Sequence, residues 1–83
     1  MKITLILFAS AREIAGREKV EVELKEGARI GDCKEALLKM FPAIKKIIDK
    51  CSYAVNMDIK GEDSLLNEGD EVAVLPPVSG GDG

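Results

Sequence analysis

The sequence predicts one α+β domain, a mixed β-sheet with one main helix packed across it. Three observations point there. Short apolar segments with strand patterning lie at residues 2–8, 18–24, 52–57 and 71–75. One longer segment, residues 30–41, has helical spacing. The helix therefore falls between two strand pairs, which is the β-grasp order. At 83 residues a single domain is the sensible count. Residues 1–75 read as that domain and 76–83 as a flexible C-terminal tail.

Residues 2–8 (KITLILF) are apolar and short, and they read as a central strand buried on both faces. Residues 9–17 (ASAREIAGR) favour a short helical turn that Gly16 stops. In residues 18–24, Val20, Val22 and Leu24 alternate with Lys19, Glu21 and Glu23, the pattern of a half-buried strand. Gly27 closes it. Along 30–41, Ile30, Cys33, Leu37, Met40 and Phe41 fall near one stripe and are expected in the core. Asp32 complements the helix dipole. Arg29 stands where a Ser, Thr or Asp cap is expected. Pro42 interrupts, because the residue before proline disfavours helix. Ile44, Ile47 and Ile48 then make a second apolar turn, with Lys45, Lys46 and Lys50 read as its solvated face. Residues 56–60 read as a turn, and 62–70 as a loop pinned by Leu65 and Leu66. EVAVL (71–75) is the last strand.

Composition narrows the function. The chain is 46% hydrophobic and 33% charged, enough apolar content for a fold. Aromatics are only 4%, so a deep cofactor pocket is not expected. There is no histidine, which removes the commonest general base and zinc ligand. The net charge of −3, with no basic stripe, argues against nucleic acid. Two cysteines, Cys33 and Cys51, cannot alone fill a structural zinc site. Both are expected as reduced thiols in a cytoplasmic protein. Residues 1–10 are too short for a signal peptide, and no stretch reaches transmembrane length.

The tail is the unusual feature. It reads Pro76-Pro77-Val78-Ser79-Gly80-Gly81-Asp82-Gly83. Proline has no N–H to donate, so sheet pairing stops at Pro76. The glycines beyond it permit close backbone approach. Six residues from Val78 span at most about 20 Å when extended. Such a segment suits a channel too narrow for a Cβ.

EGDEVAVLPPVSGG (68–81) closely resembles the end of the molybdopterin synthase small subunit, a sulfur carrier of the β-grasp, ubiquitin-like fold. LFASAREIAG (7–16) resembles that family's first strand and helical turn, and Ala54-Val55-Asn56 its third strand. The resemblance implies that a ubiquitin-activating-like adenylyltransferase uses ATP to adenylate the Gly81 carboxylate. A sulfur donor then makes the thiocarboxylate, and the tail delivers sulfur to a cyclic pyranopterin phosphate in the large synthase subunit, within a heterotetramer. The carrier alone is expected to catalyse nothing and to bind no cofactor or metal. Gly80 and Gly81 would be the reacting end. Leu75, Pro76, Pro77, Val78 and Ser79 would dock in the partner. Phe8 would join them if it points outward, although a core position is expected for it. Arg12 and Glu13 could meet partner charges.

Besides Arg29 at the helix start, the sequence departs from the family at its end: it continues past the glycine pair with Asp82-Gly83. Three readings stand open: a peptidase trims the extension, the activating enzyme accepts Gly83, or the chain is not activated as it stands. An unpaired Asp82 carboxylate in a glycine channel is costly, which favours trimming. Other functions are a ubiquitin-like protein modifier, a thiamine or tungsten-pterin sulfur carrier, and an interaction module with an inert tail.

Overall fold

The computed structural model describes residues 1–77; the expectations for Val78, Ser79, Gly80, Gly81, Asp82 and Gly83 lie outside these residues. The chain runs β1 (Lys2–Leu7), α1 (Ala9–Ala15), β2 (Lys19–Glu23), α2 (Ile30–Met40), a 3-10 turn (Pro42–Ile44), α3 (Lys45–Ile48), β3 (Ser52–Val55), β4 (Asp58–Lys60) and β5 (Glu71–Leu75). The five strands form one sheet in the order β2-β1-β5-β3-β4. β1 and β5 pair in parallel and all other neighbours are antiparallel. The sheet is mixed, as expected.

Period-two alternation builds the core. Ile3, Leu5, Leu7, Val20, Val22, Val72 and Val74 all point to one side of the sheet and are buried. Ile30, Cys33 and Leu37 of α2 cover them, helped by Ala11, Ile44 and Ile48. Each fully buried aliphatic side chain contributes about 2 kcal/mol. The helices lie on this side only. β1 is therefore not buried on both faces: Thr4 and Ile6 are half-buried and Lys2 is exposed.

Turn chemistry sets the joints. Gly16 ends α1 with φ +75°, its N–H bonded to the Arg12 carbonyl. Phe41 leaves helical geometry at the end of α2, with φ −134° and ψ 79°, as the residue before Pro42 disfavours helix. Five further expectations need correction. Residues 58–60 are a strand, not a turn; Asn56-Met57 is a two-residue hairpin loop joining it to β3. Met40 is 42% exposed, as the last residue of α2. Leu66 is buried but Leu65 faces solvent. Phe8 is 43% exposed rather than core. α2 does have a cap: the Asp32 carboxylate accepts the Arg29 N–H at 2.8 Å. The Arg29 side chain cannot accept, and instead donates to the Asp63 carbonyl at 2.6 Å.

Among the described residues, no helix is long and apolar enough to cross a membrane.

Candidate functional site

The tail leaves the domain from the end of β5, so the site begins with what surrounds that end. β5 lies between β1 and β3, with Leu7 beside Val74 and Ser52 beside Leu75. One step further along the parallel register places Phe8 next to Leu75. Leu7 points into the core, so alternation turns Phe8 to the open side of the sheet. Ala9 follows with φ +49°, a left-handed backbone that alanine adopts only at a cost of about 1–2 kcal/mol. That bend turns the chain from β1 into α1 and leaves Phe8 outside the core.

The open side is unusually apolar for a solvated face. One row across the sheet reads Ile6, Ala73, Ala54, Ile59, paired in register. Ile59 is 68% exposed. The next row carries Phe8 and Leu75. Leu75 and Pro76 are half-buried and Pro77 is exposed. The expected docking residues Leu75, Pro76 and Pro77 thus continue an apolar surface already present on the sheet. The sequence reasoning missed Ile6, Ala54, Ala73 and Ile59. For Ile6 and Ala73 the signal was the second, outward phase of β1 and β5, hidden in continuous apolar runs; Ala54 and Ile59 lie on the short strands β3 and β4, where the pattern is too brief to read.

The same side of the sheet also carries Lys2, Thr4, Glu21, Glu23 and Glu71 toward the Met1 end. Arg12 lies 3.4 Å from Glu18 on the exposed surface, a pair of little energetic weight. Glu13 and the lysines Lys45, Lys46 and Lys50 are exposed. Lys34 meets Asp49 at 2.8 Å and Glu62 at 3.6 Å, joining α2, α3 and the loop before β5. The hydrogen bond and charge of Lys34 hold the Asp49 carboxyl below its usual range. Burial pushes the Cys33 thiol up to about 12, with Asp32 adding to the shift. Burial raises Cys51 as well, and its thiol donates to the Ile47 carbonyl at 3.4 Å. Raised thiols are poor nucleophiles at neutral pH. The buried Tyr53 hydroxyl has no hydrogen-bond partner among the described residues. Among the described residues, no group of three or more Cys, Asp or Glu is arranged to hold a metal.

A five-stranded mixed sheet with its main helix laid across one face, and an apolar opposite face leading into the C-terminal tail, defines a β-grasp protein of the ubiquitin-like class. Residues 5–81 match the ThiS family, and the chain belongs to that family. It is 36% identical to the molybdopterin synthase sulfur carrier subunit of Chlamydomonas reinhardtii, over 98% of this chain and 100% of that protein. The crystal structure of SAMP1 from Haloferax volcanii superposes with a TM-score of 0.87 at 30% identity, covering 96% of this chain and 99% of that one. A putative molybdopterin converting factor subunit 1 from Pyrococcus furiosus gives 0.85 at 35% identity, over 94% and 99%.

Proposed function

We propose that this chain is a cytoplasmic sulfur carrier and the small subunit of a molybdopterin synthase. The observation that carries this reading is the end-to-end similarity to a named molybdopterin synthase sulfur carrier subunit, which includes the tail. In the proposed cycle, a partner adenylyltransferase attaches AMP to the Gly81 carboxylate and releases pyrophosphate. A sulfur donor displaces AMP and leaves a thiocarboxylate. The apolar sheet face around Phe8 and Leu75 then docks on the large subunit, and Gly80-Gly81 reach the pyranopterin. The domain contributes binding and aim; the reacting sulfur belongs to the tail. A peptidase first removes Asp82-Gly83.

Deleting Gly80-Gly81 and all that follows tests the reading. Sulfur transfer, assayed with the large subunit and the activating enzyme, is expected to vanish while the circular dichroism spectrum stays unchanged. Full transfer by the truncated chain would reject it. The intact mass of protein from its own host tests trimming: it should end at Gly81, in part with one oxygen replaced by sulfur.

The similarity to SAMP1 supports a second reading, a ubiquitin-like modifier using the same activated glycine. It predicts covalent conjugates on a denaturing gel that disappear when the tail is removed.

A further inference from the structure

β2 is an edge strand. Leu24 donates its N–H to the Met1 carbonyl, and the Glu18 carbonyl accepts from Leu7. With antiparallel alternation, the N–H and C=O of Val20 and Val22 also turn toward β1. Those of Lys19, Glu21 and Glu23 then turn outward, an edge of backbone groups that β1 does not use. Beside it, on the helix side, a groove of about 620 Å³ separates the end of β2 from α2. Its apolar lining comes from Leu24, Ala28 and Ala36. Glu23, Glu26, Asp32 and Glu35 outnumber Lys25 and Lys39 along it, so its charge is negative.

We infer that this edge and groove form a second docking site, which takes an extended cationic peptide segment as an added β-strand. Main-chain bonds to Lys19, Glu21 and Glu23 would hold the strand. Its small apolar side chains would enter the groove, whose negative rim favours a cationic segment, and the alternating lysines or arginines on the other face of the strand would meet Glu21 and Glu23. A second copy of the chain fits poorly. Antiparallel self-pairing centred on Glu21 sets two Glu21 carboxylates directly opposite one another, which is destabilising. The groove lies at the Met1 end of the sheet, whereas the tail leaves from the Leu7 end. The two surfaces can therefore be occupied together, and one partner could grip the edge while another holds the tail.

The test titrates full-length protein labelled with nitrogen-15 with a blocked peptide of alternating lysine and valine. Saturable shifts at the amides of Lys19, Glu21, Glu23 and Glu35 are expected. Glu21→Pro removes one outward N–H without touching the β1 ladder, since edge strands tolerate proline there. It should weaken binding about tenfold, the worth of one good hydrogen bond. Glu35→Lys, on the exposed surface of α2, should weaken binding likewise and serves if the proline variant fails to fold. An alternating glutamate–valine peptide should not bind. The inference is overturned by an absence of saturable shifts, by equal binding of the acidic peptide, by shifts confined to the Phe8 face, by indifference to both substitutions, or by self-association through this edge in sedimentation.

Discussion

The Arg29 guanidinium donates to the Asp63 carbonyl at 2.6 Å, tying the start of α2 to the loop that precedes β5. The same junction is bridged by the N–H of Ile30 to the Ser64 carbonyl and of Gly31 to the Glu62 carbonyl. Arg29→Ala is expected to cost about 1 kcal/mol, the net worth of an exposed charge-assisted bond. Urea denaturation measures it. Amide exchange at Ile30 and Gly31 should quicken in the variant; unchanged exchange would mean that the backbone bonds hold the loop unaided.

Met57 occupies a left-handed position, φ +77°, at the tip of the β3–β4 hairpin and is 96% exposed. Asn56 before it suits such a turn, but methionine does not. Met57→Gly should stabilise the domain by about 0.5–1 kcal/mol, the relief of left-handed strain less glycine's extra freedom when unfolded. That is a rise in Tm of about 3–6 °C for a domain of this size. A fall in Tm would show that the side chain has a stabilising contact.

The Tyr53 hydroxyl is buried and finds no partner among the described residues. Removing an unsatisfied polar atom costs nothing and can help. Tyr53→Phe should therefore lie between neutral and about 1 kcal/mol more stable. A loss of more than that range, by calorimetry, would reveal a hydrogen bond formed in solution.

Alkaline pH should destabilise the domain through Cys33. Its folded pKa lies near 12 against an ordinary 9.0, so the folded state keeps its proton when the unfolded chain has lost it. The stability is fully present below pH 9.0 and declines as pH rises toward 12. Lys34 adds in the same direction: its pKa is raised from 10.5, so its ion pairs also fail as pH climbs past that value. In Cys33→Ala the alkaline decline should become shallower, although the smaller side chain lowers stability at every pH. An unaltered slope would exclude the thiol as its source. At neutral pH, Cys33 should resist iodoacetamide until the protein unfolds.

Phe8→Asp should weaken binding to the large synthase subunit about tenfold or more, since exposed aromatic anchors dominate such interfaces. Ile59→Lys should do the same if the whole apolar row is buried. Calorimetric titration reads both, with thermal melts confirming the fold. Wild-type affinity in Phe8→Asp would move the docking surface elsewhere.

Much of this molecule was legible before the structure, and the reasons are local. KVEVE alternates cleanly and gave β2; Gly16 and Pro42 marked the ends of α1 and α2. The misses have one cause in common, that pattern does not fix phase. KITLILF is apolar throughout, so it could not show that Ile6 and Phe8 face out while Leu5 and Leu7 face in. β4 has one apolar residue, Ile59, and three residues carry no period. Met40 fits the helical stripe but is the last residue of α2 and stays partly exposed. For the tail, the expectation for Gly80 and Gly81 rests on their chemistry alone and lies outside the described residues.

The last strand sits inside the sheet, between the first strand and the third. On the side away from β2, Thr4, Leu5, Ile6 and Leu7 pair with Glu71, Val72, Ala73 and Val74, nearly a chain length away. On the ribosome, the nascent chain cannot complete its sheet until β5 has emerged, and the tail follows directly behind it. Closing so long a loop is slow compared with forming local helices. The sheet is therefore completed only when its last strand is made, so a partner that recognises the finished sheet meets a chain synthesised at least through Leu75.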